Sequence, residues 1–146
     1  MGKELLEKYL YYFRYNLIMR DIEKPLIWIG SSHKDLLALP NEVKRGFGYA
    51  LSLAQSGLRH SSTKILQGFG GSAVLEILES DEGGTYRAVY TVKYAQAIFV
   101  LHCFQKKSKK GIATPKEDMD VIRVRLKMAE KIAKELEDEE KCNGRD

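Results

Sequence analysis

Three stretches of two-residue periodicity, "SAVLEILES" (72–80), "TYRAVYTVKY" (85–94) and "AIFVLHCFQ" (97–105), follow one another with only short breaks. Alternation of this kind sends successive side chains to opposite faces, so each stretch reads as a strand. The breaks, "DEGG" (81–84) and Ala95–Gln96, supply turns, which makes the three an antiparallel meander. Whatever else the chain forms must pack on that sheet.

The flanking segments carry helical spacing. Leu6, Leu10, Phe13 and Leu17, with Tyr9 alongside, predict an amphipathic helix over 4–19 that ends near Asp21–Pro25. "PLIWIG" (25–30) is a short buried strand. Ser32 is placed to cap a short helix, with Asp35 three residues on, and Pro40 breaks it. Asn41 starts a second helix with Val43, Phe47, Ala50 and Ala54 on one face and Gly57 as its stop. The last helix has the fullest start signal: Thr114 as N-cap, Pro115 at the first helical position and Glu117 completing a capping box. Met119, Ile122, Leu126, Ala129, Ala133 and Leu136 then form one apolar stripe. The expected fold is α+β: a small antiparallel sheet, the meander plus an N-terminal strand, packed by a helical pair and a C-terminal helix. At 146 residues this is one domain, with an N-terminal helical extension (1–24), a core (25–134) and an acidic tail (135–146).

A composition of 44% hydrophobic and 30% charged residues belongs to a folded chain rather than a disordered one. No apolar run is long enough to span a membrane, and Glu4, Glu7 and Arg14 rule out a signal peptide, so the expected compartment is the cytoplasm. Two cysteines make no disulfide framework, and Cys103 reads as a reduced, packed thiol. His33, His60 and His102 have no metal-ligand spacing; no metal or other cofactor is expected. Residues 135–146 carry a net −4 of the overall +4, which leaves the rest of the chain at +8. A body so basic leans toward polyanions such as nucleic acid.

Candidate chemistry gathers late in the meander. Alternation puts Arg87, Val89, Thr91 and Lys93 on one face of their strand, and groups Ile98, Val100, His102 and Phe104 on the next. An arginine among apolar neighbours must meet either a structural ion-pair partner, with Glu76 as the candidate, or a bound anion. His102 fits either a satisfied core histidine or a proton-transfer group. Lys106, Lys107, Lys109 and Lys110 directly precede the last helix, whose free N–H groups favour anions. Such a charge run is either a solvated loop or an anion site.

The stretch "TYRAVYTVKYAQAIFVLHCFQKKSKKGIATPKEDMDVIRVRLKMA" (85–129) resembles the RelE/ParE superfamily of toxins from type II toxin–antitoxin modules, and most of all the phage-derived, HigB-like branch. "VLEI" (74–77) and "LPNEVKRGFGYAL" (39–51) fit the same pattern. The resemblance implies a RelE-like fold with an extra N-terminal helix. It also implies a metal-independent endoribonuclease that cleaves mRNA on the ribosome and is neutralised by a cognate antitoxin of helix-turn-helix type. A homo-oligomer is compatible with it, and no membrane partner is implied. Carried onto this chain, Arg87 would hold the scissile phosphate, Lys106 and Lys107 would stabilise charge or act as base, and His102 would be an acid or base. Lys109 and Lys110 would contact flanking phosphates. Lys64, otherwise a solvated cation, and Lys93 join them as RNA contacts. Where relatives often carry a basic residue in the strand before "YR", this chain has Glu76, Ile77 and Leu78, and no late tyrosine or histidine follows Gly111. A ParE-like inhibitor of DNA gyrase, or a non-toxic basic nucleic-acid-binding domain, is the alternative.

Overall fold

The computed structural model describes residues 3, 4, 6–8, 10, 11, 23–106 and 113–144. Its elements run β1 (Leu26–Trp28), α1 (Ser32–Leu37), α2 (Asn41–Gln55), β2 (Thr63–Ile65), β3 (Val74–Asp81), β4 (Gly84–Thr91), β5 (Ile98–Lys106) and α3 (Lys116–Asn143). Of the expected first helix, the described residues between 3 and 11 are helical, with Leu6 and Leu10 exposed; Tyr9, Phe13 and Leu17 lie outside the described residues.

The expected α+β architecture is present, as a five-stranded sheet in the order β1-β5-β4-β3-β2. The meander β3–β4–β5 is antiparallel throughout, and the β3–β4 turn closes at Asp81↔Gly84. Two features of the sheet differ from the sequence expectation. β1 joins β5 in parallel, because the chain between them passes through α1, α2 and the meander before it returns. β2 is a strand with no alternation to announce it: "TKI" forms by pairing with Leu75–Ile77 of β3.

Helices cover both faces. On one, Leu36 of α1 and Val43, Phe47, Ala50, Leu51 and Ala54 of α2 pack on Ile77, Ala88, Tyr90 and Val100. On the other, Ile122, Ala129 and Ala133 of α3 pack on Val74, Val89, Phe99 and Leu101, with Met119 and Leu126 partly buried beside them. The stripes expected for α2 and α3 are thus the ones that are buried. α3 extends 28 residues and takes most of the acidic tail with it as exposed helix. Carboxylates at a helix C-terminus oppose the helix dipole, and Lys141 beside Glu137 at 3.2 Å offsets this only weakly.

One irregularity sets the site's geometry. Val89 pairs with His102 while Tyr90 pairs with Val100, so Leu101 is an extra residue in β5, a β-bulge. Strict alternation groups His102 and Phe104 with Ile98 and Val100. Leu101 keeps the α3 side that alternation with Phe99 gives it, and the bulge turns His102 and Phe104 toward α3 as well and sends Cys103 to the α1–α2 side.

The cap of α1 is also displaced by one residue from expectation. Ser31 takes the N-cap position and donates its hydroxyl to Asp35 at 2.7 Å, while Ser32 is buried and donates to the Val100 carbonyl. Gly57, at φ +80°, closes α2 as expected, with Leu58 N–H donating to the Leu53 carbonyl.

Burial, with Asp35 nearby, pushes the Cys103 thiol up from 9.0 to about 12. A thiol reagent at pH 8 should therefore label exposed Cys142 quickly and Cys103 only on unfolding, which mass spectrometry of the labelled chain will show. Since the folded thiol titrates above the unfolded one, the linked stability is present below pH 9 and falls as pH rises toward about 12. Urea titrations across that interval, with Cys103→Ser as control, measure the loss.

Candidate functional site

In β4 the odd residues face α3, and register aligns them with their neighbours. Lys64, Glu76, Val89 and His102 form one row across β2, β3, β4 and β5; Leu78, Arg87 and Phe104 form the next. Arg87 and Glu76 are therefore diagonal neighbours on adjacent strands, within reach of each other's long side chains. Arg87 NH1 donates to Glu76 Oε2 at 3.0 Å, with both side chains buried. The sequence left Arg87 open between an ion pair and an anion; the ion pair with Glu76 forms.

Thr114 completes the cluster. Its hydroxyl donates to Glu76 Oε2 at 3.1 Å and accepts from Arg87 NH1 at 3.1 Å. This corrects the expected capping box. Pro115 occupies the N-cap position of α3 with no side-chain cap bond, and the helix begins at Lys116. A buried charge pair with an unfilled acceptor costs more than a solvent-satisfied helix end, so the hydroxyl is drawn inward. Both bonds to Glu76 fall on Oε2; among the described residues, Oε1 takes no hydrogen bond and can accept a proton or a ligand donor.

The pair forms one side of a cavity of about 410 Å³. Its polar lining is Lys64, Gln67, Glu76, Arg87 and Thr114; Ile65, Leu66, Ala113 and Met119 supply the apolar part. That volume lies in the range of small-ligand sites. Two cations against one carboxylate leave the lining with an excess of positive charge, suited to an anion whose other end is apolar or hydrogen-bonding.

His102 is held apart from this cavity. With Nε2–H donating to Asp118 Oδ1 at 2.8 Å, Nδ1 is left as the acceptor facing Arg125 NH1 at 3.5 Å. The ring stacks on Phe104, centroids 4.5 Å apart. Arg125 also donates to the Leu101 carbonyl at 2.9 Å and to Ser31 Oγ at 2.8 Å, so the bulge, α3 and the start of α1 share one polar chain. Gly30, at φ +57°, passes close beneath it: an added Cβ would lie 2.8 Å from Arg125 Nε.

The structure brings Lys64 to the cavity but not Lys93. Lys93 lies two residues past the end of β4, about 20 Å along the chain from Arg87, with its ammonium over the Tyr94 ring. Lys106 ends β5 two residues beyond Phe104, on the Arg87 face and half-buried. Lys107, Lys109 and Lys110 lie outside the described residues. Sequence reasoning missed Thr114, Gln67, Asp118 and Arg125 as parts of this region. The spacing of Thr114 and Asp118, one helical turn apart, was the available signal. Among the described residues no group of His, Cys, Asp or Glu could hold a metal ion, and no helix is long and apolar enough to cross a membrane.

The chain belongs to the phage-derived protein Gp49-like family (DUF891), whose profile matches residues 34–127. That family is associated with RelE-like toxins, and the sheet with its helices is consistent with the small α+β fold of that group. The matched span runs from α1 into α3 and contains Lys64, Glu76, Arg87, His102 and Thr114. A comparison with curated proteins returns no match.

Removing one member of a buried pair strands the other's charge. Arg87→Ala should therefore cost about 3–5 kcal/mol in urea unfolding, and Arg87→Met combined with Glu76→Leu should recover most of it.

Proposed function

We propose that this chain is the toxin of a type II toxin–antitoxin module, of the HigB-like branch: an endoribonuclease that cleaves mRNA on the ribosome. The observation that carries the reading is Arg87, buried at the wall of a cavity that also presents the Glu76 carboxylate. Membership of a family associated with RelE-like toxins supports it. In this reading the scissile phosphate enters the cavity against Arg87 and Lys64. Glu76 Oε1 accepts the proton of the ribose 2′-OH, whose oxygen attacks phosphorus. The P–O5′ bond breaks, and the products are a 2′,3′-cyclic phosphate and a 5′-hydroxyl end. The guanidinium stabilises the charge that builds on the phosphorane, and Lys106 or Lys107 delivers the proton to the departing 5′ oxygen. No step requires a metal. His102, with both ring nitrogens engaged, anchors α3 over the sheet, while Lys109 and Lys110 hold flanking phosphates. A helix-turn-helix antitoxin would silence the site.

Tightly controlled expression in bacteria should arrest growth, and primer extension on cellular mRNA should find new 5′ ends. DNA damage with intact mRNA would point to gyrase instead, and unimpeded growth would remove the toxin assignment. Arg87→Lys keeps a charge against Glu76 but loses the planar fork. It should slow cleavage by about 100-fold or more while the protein remains folded by circular dichroism.

A further inference from the structure

The cavity's polar lining includes one group that phosphate chemistry does not use. Gln67 follows β2 and opens the loop "QGFGG" (67–71), and it lines the same cavity as Arg87. This loop is built to a fixed position. Leu66, just before it, is buried, and its N–H donates to the Val74 carbonyl at 2.9 Å. Gly68 adopts φ +102°, and an added Cβ would lie 3.3 Å from Met119 Cε, so the backbone rests directly on α3. Arg123 of α3 then lies over the Phe69 ring, 5.7 Å from its centroid. The backbone on either side of Gln67 is thus placed by a sheet bond and two contacts with α3, and among the described residues its exposed carboxamide makes no hydrogen bond, so it can offer a donor and an acceptor side by side. Ile65, Leu66 and Met119 add apolar surface that a planar ring can lie against.

We propose that Gln67 is a specificity-determining residue: it reads the hydrogen-bonding edge of one base in single-stranded RNA while Arg87 and Lys64 hold the adjoining phosphate. Unstacked bases in single strands are recognised in this manner, by a flat apolar contact and edge hydrogen bonds. Phosphate contacts fix register but carry no sequence information. The inference rests on the ribonuclease reading of the cavity and adds its substrate selection.

The test is to map cleavage sites across cellular mRNA for the wild-type chain, Gln67→Ala, Gln67→Glu and Lys64→Ala. Gln67→Ala should relax the base preference at one position by about 5- to 150-fold, Gln67→Glu should shift it to another base, and Lys64→Ala should weaken all sites alike. Cleavage by the Gln67 variants with the wild-type preference overturns the inference and leaves the ribonuclease reading standing. A binding assay separates the two further. The four nucleoside 3′-monophosphates are titrated into the full chain while the Gln67 side-chain amide is followed by NMR. If the wild type cuts no RNA, yet one mononucleotide moves that amide and the shift disappears in Arg87→Lys, base recognition stands and the nuclease assignment falls. Equal affinity for all four, or no shift at Gln67, overturns the inference.

Discussion

The Arg87–Glu76 pair is the interaction on which the rest of this region depends. Two ionised side chains on adjacent strands are taken almost wholly out of water, and the third partner, Thr114, comes from the lead into α3. A buried pair of this kind contributes little net stability over an apolar replacement, but it tolerates only one arrangement of its neighbours. Here it ties β3, β4 and the entry of α3 to one geometry. The lining of the cavity follows from that geometry, since Ala113, Thr114 and Met119 reach it only when α3 begins where it does.

A second constraint, the bulge at Leu101, decides what stands next to the pair. Without the extra residue His102 would face α1 and α2, and Cys103 would face α3. With it, His102 meets Asp118 and Arg125, and the thiol is sealed in the opposite core. A single inserted residue thereby separates a polar network from a nonpolar one across the thickness of the sheet. The same network continues through Arg125 to Ser31, so both helical layers register against β5.

Much of the architecture was legible in the residue pattern, and for a consistent reason. The stripes of α2 and α3 and the runs of β3, β4 and β5 are long enough for burial to impose a period. What was not legible was short or phase-dependent. β2 has three residues, too few to alternate, and exists because β3 offers it a partner. The alternation in β5 is correct up to Leu101 and inverted from His102 on, because a bulge leaves no local mark in sequence. Thr114 carries every local signal of an N-cap, yet a buried carboxylate competes successfully for its hydroxyl. Arg87 and its partner Glu76 were visible together as a possibility; that their cavity also includes Gln67 required knowing how the glycine-rich loop settles on Met119 and Arg123.

The sheet that carries this pair is long at its centre, eight or nine residues in β3, β4 and β5, and only three at each border strand, β1 and β2. Unpaired backbone at a sheet border is a template on which other chains can add strands, and the hazard grows with the length of straight border exposed. Each outermost strand here offers a straight border of only three residues. Pro25 and Gly30 bound one border strand, and Lys64 places a charge in the middle of the other. A cation beside the cavity thus has a second consequence: it discourages the aggregation that a sheet with so continuous an apolar interior would otherwise invite.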